Sequence, residues 1–396
     1  MSLLAGQQIP PGCRWFRQLC CLGLLVLLVG CSESPAVVFR AVPDGGIHPR
    51  ILMDSHGQAH LLYFRPDAPD GRSRLGLLYY RPYDEQNDDW GPAVRVSTDR
   101  YEHGDPIFRA GFGIDDEGRV HVAWFQSRPA EYFYTRSNPQ RTEFEPQRLI
   151  VNQHLEGIDA GVDIAVDGQQ IAVVWAAGDL EREAQRSVYL RLSRDRGESF
   201  GTETMIGDPA LGACACCGLA AEFGPDSQLL VAYRSATNGT GRDMQVLTVD
   251  TGPQITPPAR YQPLQEDRMW DLAACPVTTN DWVADGKGGH WLVYENRSRI
   301  YTLNVPGQAD ESPRQLSEVP PTTREKHPAV AINAQGYQLS AWGEGAGFFS
   351  GGVLRWSLFD PQGRRVNLPA HEAVQIPDNS HPAVMARRDG NFMVLY

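Results

Sequence analysis

Seven times along the chain a short run of β-branched or other apolar residues closes on an aromatic side chain. The runs are "AHLLYF", "VHVAWF", "IAVVWA", "LLVAYR", "HWLVYE", "LSAWGE" and "FMVLY", and their aromatics are Tyr63, Trp124, Trp175, Tyr233, Tyr294, Trp342 and Tyr396. Successive aromatics lie 61, 51, 58, 61, 48 and 54 residues apart, the length of one four-stranded propeller blade. Each run follows another apolar stretch and a polar turn, as in "PRILMDSHGQ", "GVDIAVDGQQ" and "PAVAINAQGY", whose Asp, Asn and Gly residues suit a tight hairpin. A third strand comes after it, such as "RLGLLYYR", "SVYLRLS" or "VLRWSLFD", and then a shorter fourth. Sheets that are apolar on both faces must be covered by other sheets, so the blades have to pack on one another and close into a ring. The last repeat reaches Tyr396 after two strands, and "AVVFRAV" near the start of the body supplies an outer strand to fasten it. The expectation is an all-β propeller of four-stranded antiparallel blades over residues 39–396 as one domain, with seven blades, six being the alternative count.

The N-terminal segment reads as an export signal over residues 1–30. Arg14 and Arg17 precede the apolar run Leu22 to Val29, which is short for a membrane span. It ends Leu28-Val29-Gly30-Cys31, which resembles the lipobox of bacterial lipoproteins and implies lipidation of Cys31, a short tether over 31–38, and an extracytoplasmic, membrane-anchored protein. Ser32, where an aspartate would favour inner-membrane retention, points to the outer membrane in a cell that has one. Removing residues 1–30 leaves 34 basic against 48 acidic side chains, a net charge of −14, which argues against a nucleic-acid partner. Of eight cysteines, Cys214, Cys216, Cys217 and Cys275 then remain in the folded body, in a compartment that permits disulfides.

The segment "SRDRGESF" places Ser193, Asp195, Gly197 and Phe200 at the spacing of an Asp-box, and "TVDTGPQI" repeats it loosely with Thr248, Asp250, Gly252 and Ile255. In such a turn the hydroxyl and carboxylate hydrogen-bond the backbone, glycine permits a positive φ, and the aromatic plugs the gap between blades. On these boxes and the repeats, the chain resembles the sialidase and BNR-repeat propeller superfamily. More narrowly, "GACACCGLAAEF", "RDMQVLTVD", "AACPV" and "KHPAVAINAQGYQLSAWGEG" resemble a group of secreted bacterial proteins commonly labelled exo-α-sialidase.

What the resemblance implies for catalysis is only partly present in the residues. A sialidase of this type needs three arginines around the substrate carboxylate, a tyrosine nucleophile paired with a glutamate, and an acid–base aspartate. The clamp candidates here are Arg50, Arg109, Arg234 and Arg242, and the candidate carboxylates are Asp243, Glu295 and Glu344. The family's first arginine stands in an Arg-Ile-Pro run opening the first inner strand. That place reads "GIHPR" here, with Ile47 two residues before Pro49, and the guanidinium is missing from it. Arg40, in "FRAVP", lies well ahead of the strand. Tyr294 with Glu295 has the form of a nucleophile pair, yet Tyr294 fills the repeating aromatic slot and so reads as blade packing.

Aligning the inner strands by their turns places His48, Asp105, Gly161, Cys217, Cys275, His327 and His381 just before each strand begins, around one channel mouth. Three readings follow for the sulfurs. A Cys217–Cys275 disulfide would pin blade four to blade five. A copper or zinc site would combine Cys217 and Cys275 with His48, His327 or His381. A redox-active thiol cluster is the third. The proline-flanked histidines also suit plain polar lining of a strand entry. Taken together, the residues favour binding over catalysis: a glycan, a cell-surface or periplasmic protein, or a metal held at the mouth. A glycoside hydrolase acting on acidic sugars and a Cys/His metal protein are the alternatives.

Overall fold

The computed structural model describes residues 34–68, 73–104, 108–156, 161–255, 260–263, 270–305, 312–317, 323–367 and 372–396. The expected export signal over residues 1–30, Cys31 and Asp105 lie outside the described residues. Among the described residues no helix is long and apolar enough to cross a membrane.

Seven antiparallel sheets follow one another in chain order. Their first and second strands are Ile47–Met53 with Ala59–Pro66, Gly111–Ile114 with Val120–Ser127, Asp163–Asp167 with Gln170–Ala177, and Ala220–Phe223 with Gln228–Arg234 for blades one to four. Asn280–Ala284 with His290–Asn296, Glu325–Ile332 with Gln338–Glu344, and Ala383–Ala386 with Phe392–Leu395 complete blades five to seven. Inner strands of successive blades touch around the whole circle, including blade seven against blade one, so the ring is closed. Val37–Arg40 fastens it by pairing parallel to Phe392–Leu395, with Phe392 N–H donating to Ala36 O at 2.9 Å and Tyr396 N–H to Arg40 O at 3.1 Å. The fold is thus the seven-bladed propeller that the repeats imply.

Strand alternation explains why the second strands carry apolar residues on both faces. In blade two, Val120, Val122 and Trp124 pack with Leu62, Phe64 and Tyr80 of blade one. The intervening Ala123 and Phe125 pack with Ile164, Val173 and Trp175 of blade three. The same division recurs at every junction around the ring. Trp124 and Trp175 are 0% exposed. The turn residues behave as read: Asp54, Asp115, Asp285 and Asn333 each accept two backbone N–H bonds of 2.7–3.1 Å from the turn they open.

The Asp-box does its structural work between blades three and two. Ser193 Oγ donates to Asp195 at 2.7 Å and accepts from Gly197 N–H at 2.8 Å, while Phe200 stands edge-on to Tyr134 with ring centroids 4.9 Å apart. Hydrogen bonds from Ser193 and Ser199 outweigh partial burial and hold the Asp195 carboxyl down at about 2. Gly197 has φ 75°, and a Cβ there would lie 1.8 Å from Tyr134 Oη. Gly197→Ala is therefore expected to cost roughly 2–5 kcal/mol by thermal or urea denaturation, from backbone strain plus overpacking. Gly239→Ala, at φ 86° with no atom within 4 Å of the new carbon, should cost only about 1 kcal/mol. The second box is looser: Asp250 accepts Gly252 N–H at 2.9 Å, but Gly252 lacks a positive φ.

Candidate metal centre at the channel mouth

The pairing register gives an exact correspondence between blades that turn signals alone do not. In every blade the inner-strand residue paired with the one preceding the aromatic is Arg50, Gly111, Asp163, Ala220, Asp281, Ala329 or Ala383. Two residues earlier stand His48, Arg109, Gly161, Gly218, Thr279, His327 and His381. Four of the seven positions expected from sequence hold. In blades two, four and five the ring residues are Arg109, Gly218 and Thr279, in place of Asp105, Cys217 and Cys275.

The three histidines form a continuous arc across blades six, seven and one. His327 and His381 have ring centroids 6.4 Å apart, His381 and His48 6.0 Å, and His103 joins His48 at 5.4 Å. Thr279 of blade five extends the arc, its Oγ1 lying 3.5 Å from His327 Nδ1. His48 and His327 both adopt positive φ, 54° and 55°, inside matching irregularities of register that add one residue to the inner strand. A bulge of this kind re-aims side chains, and here it occurs at the same place in two blades.

Below the arc, the next channel layer is ionic. Arg50 Nη1 meets Asp163 Oδ1 at 2.6 Å across 113 residues of sequence, with Asp163 almost fully enclosed. Arg109 reaches across to the Asn280 carbonyl of blade five. Burial pushes the Asp281 carboxyl up, against the pull of Arg109 and Arg50, and burial beside Arg50 lowers the Arg109 guanidinium to about 10. Two arginines and two aspartates thus form a charge-balanced plug. Asp163 and Asp281 escaped notice in the sequence, although an acid in "GVDIAV" and in "TTNDWVA" interrupts otherwise uncharged inner strands.

Burial keeps the histidines neutral. It lowers His48, His327 and His381 well below their ordinary value of 6.5, with nearby cationic groups adding to the effect. It also lowers His60 to about 4, against the pull of Asp54. A base lowered on folding takes up its proton more readily when unfolded, so stability is complete above about pH 6.5 and falls as pH drops towards the folded value. Urea midpoints should therefore decline between pH 7 and 5. His60→Gln should remove roughly 2 kcal/mol of that decline, a figure set by the 6.5-to-4 displacement.

The sulfurs gather on the same face, beside the arc. The segment before blade four is held by Cys214 N–H donating to Arg234 O at 2.9 Å, Ala215 N–H to Glu183 Oε1 at 2.9 Å and Gly218 N–H to Thr278 O at 2.9 Å. Cys214, Cys216 and Cys217 are buried, and their Sγ atoms lie within 4.8 Å of one another. Cys214 Sγ is 3.3 Å from Cys217 Sγ and 3.5 Å from Cys216 Sγ. Cys275 is exposed, and a hydrogen bond with the Cys216 thiol draws the Cys275 thiol down. The Cys217–Cys275 disulfide suggested by sequence is not formed, and all four are free thiols. The reason is directional: Cys217 turns towards Cys214, and it is Cys216 that faces Cys275.

Three cations surround this cluster. Arg242 pairs with Glu183 at 2.5 Å, Arg234 lies 3.5 Å from Glu295 with both side chains 1% exposed, and Lys326 Nζ donates to Val277 O at 3.0 Å. Burial would raise the Cys217 thiol, but hydrogen bonds from Cys214 and Cys216, the Arg234 charge and the Thr278 backbone hold it well below its usual range. Cys216 is pushed up by Cys214, Cys217 and Cys275. Cys214 is drawn down by Cys216 but raised more by the Cys217 thiolate and burial. Lys326 and Glu183 were not singled out in the sequence, and nothing local marks them.

The remaining candidates are dispersed. Glu295 is buried, its carboxyl raised by burial despite Arg234 and Lys326. Asp243 accepts Trp270 N–H at 2.8 Å. Glu344 pairs with Arg355 at 3.0 Å on the partly exposed rim. Tyr294 is buried in the core between blades four and five. A surface cavity of about 610 Å³ lined by Arg194, Asp226, Asp250 and neighbours opens on the opposite face, among the Asp-box turns and away from the mouth.

No family model matches the chain. A search of curated proteins finds no match either. Among solved structures, a protein of unknown function from Dyadobacter fermentans DSM 18053 is 12% identical, covering 84% of this chain and 96% of that one, with a TM-score of 0.52. An α-L-arabinanase from Penicillium chrysogenum, complexed with arabinobiose, is 10% identical over 81% of this chain and 95% of that one, with a TM-score of 0.51. A Hadza microbial sialidase is 13% identical over 80% and 70%, with a TM-score of 0.45. At these identities the first two show a shared fold.

Proposed function

We propose that this chain is an extracytoplasmic, lipid-anchored propeller that binds a thiophilic metal ion at its channel mouth, copper(I) ahead of zinc. The observation that carries the reading is the convergence of three buried Sγ atoms within 4.8 Å, with the fourth thiol at their edge. Thiolates select copper(I) and zinc, and closed structural zinc sites take four ligands in a tetrahedron, whereas three sulfurs converge here. Charge supports it too: the Arg234, Arg242 and Lys326 side chains stand around the sulfurs and favour thiolates there.

The glycoside-hydrolase alternative would need two carboxylates facing one open space. Asp243, Glu295 and Glu344 are each engaged separately, so the rim does not favour it. The likeness to an arabinanase supports a propeller able to host such chemistry, and no more.

The deciding experiment is titration of the anaerobically reduced protein with copper(I) against a chromophoric chelator, beside a thiol count on protein purified without reductant. One tightly held ion with sulfur ligation is expected, weakened at least about 100-fold in Cys217→Ser. A stoichiometric Cys214–Cys217 disulfide in untreated protein, with no copper or zinc retained after reduction, would refute the reading in favour of redox-active thiols.

A further inference from the structure

We propose that Cys275 is the entry ligand of the sulfur site: it takes copper(I) from a carrier that holds the ion on sulfur, and passes it inward to Cys216. The proposal rests on the thiolate reading above and gives that site its port and the chemistry of its donor.

The first observation is a division among the thiols. Cys214, Cys216 and Cys217 are only 2%, 4% and 5% exposed, and Val277, 1% exposed, packs with them in one buried cluster. An ion on a carrier cannot touch these sulfurs from outside. Cys275 is the one cysteine among the described residues that meets solvent, and it hydrogen-bonds Cys216. From Cys216 the path continues to Cys214 Sγ, 3.5 Å away, and from there to Cys217 Sγ, 3.3 Å further. The sulfurs therefore run from the surface inward. Only the buried three gather within 4.8 Å of one another, so Cys275 stands outside the set that holds the ion at rest, where a ligand of passage belongs.

The second observation is that the segment carrying this thiol is pinned. Lys326, 5% exposed, donates through Nζ to the Pro276 carbonyl and, at 3.0 Å, to the Val277 carbonyl. Gly218 N–H donates to Thr278 O at 2.9 Å, and Thr278 bridges Cys217 in parallel register. Between these ties Val277 adopts φ 49°, a left-handed backbone that a β-branched residue seldom takes. A buried ammonium aimed at two successive carbonyls and a strained valine thus fix the short stretch that begins at Cys275. The thiol is held against Cys216 and the ion does the moving.

The step is a ligand exchange. The Cys275 sulfur bonds the ion and releases its proton to solvent, while the bond to one carrier sulfur breaks and a departing thiolate takes a proton up. Cys216 then replaces Cys275 on the ion, losing its proton as Cys275 regains one. Copper stays monovalent and no electron is transferred. The ion keeps soft ligands throughout, so a carrier presenting thiolate or thioether fits this port and one presenting only oxygen does not.

The test mixes the reduced full chain with copper(I)–glutathione and counts the metal on the separated protein at timed intervals, beside an equilibrium competition with a chromophoric chelator. Cys275→Ser should load at least about 10-fold more slowly than wild type, because the accessible sulfur is gone. Its affinity at equilibrium should stay within about threefold of wild type, because the buried sulfurs are intact. Limited iodoacetamide treatment of the wild-type chain should modify Cys275 first, and the modified protein should show the same slow loading, which decides the matter if the serine variant does not fold. Loading at the wild-type rate without the Cys275 thiol would overturn the proposal. So would an affinity loss as large as the rate loss, which would make Cys275 a resting ligand, or first modification at a buried cysteine. Each of these leaves the wild-type chain binding copper(I) and the thiolate reading standing, whereas a wild-type chain that retains no copper would remove both.

Discussion

Arg234→Met should destabilise the propeller by about 3–5 kcal/mol, because it leaves Glu295 charged and unpaired in the interior. Arg234 also donates to the Arg242 carbonyl at 2.7 Å and to the Glu295 carbonyl, and stacks 5.0 Å from the Trp270 ring, so packing is lost with the charge. The same substitution has a second, independent consequence. Arg234 is among the groups that lower the Cys217 thiol, so alkylation of Cys217 should shift to higher pH. Adding Glu295→Leu should restore much of the stability, since a buried pair replaced by apolar side chains often costs little, but should not restore the thiol. Arg355→Met, breaking the partly exposed pair with Glu344, should cost under about 1 kcal/mol and serves as the control. Equal losses for both arginines in urea denaturation would contradict the assignment of Arg234 to a buried pair.

Starting the chain at Val42 should have an effect of similar size by a different route. It removes the Val37–Arg40 strand, its ladder with Phe392–Leu395, the 2.7 Å bridge from Arg40 to Asp88 and the Phe39 ring 6.0 Å from Trp356. Several backbone bonds at about 1 kcal/mol each, together with two partly buried apolar side chains, sum to roughly 5 kcal/mol, comparable with the whole stability of many domains. The shortened protein should melt about 10 °C lower, lose hydrogen-exchange protection at Phe392–Leu395, and aggregate through the bared edge. Unchanged melting with those amides still protected would show that the ring does not need its fastener.

The blade count was legible because each junction requires one large apolar plug per second strand, and Trp124 or Trp175 cannot be moved along the sequence without losing that contact. The fastening strand was legible for the complementary reason: the last repeat lacked strands, and the apolar run around Val37 had no other sheet to join. The ring at the mouth was legible at Gly161 and where proline follows the ring residue directly, at His48, His327 and His381. Asp105-Pro106 and Cys275-Pro276 carry the same mark but stand four residues ahead of Arg109 and Thr279, because longer entry segments precede those two strands. Cys217 misses by one, next to Gly218. Turn signals fix where a hairpin bends, while register is fixed by which residues exchange hydrogen bonds, and one residue of error reverses a side chain. The Arg50–Asp163 contact and the cations around Cys217 come from separate blades, and no local pattern announces them.

The final ladder joins segments about 355 residues apart. Six sheets can form from local hairpins while that pairing is still missing, so the circle is completed last and at the greatest cost in chain entropy. Until then two unpaired edges coexist on an otherwise structured arc, a species prone to self-association. Refolding should accordingly be slowest, and most sensitive to protein concentration, at the step that brings the two extremities together.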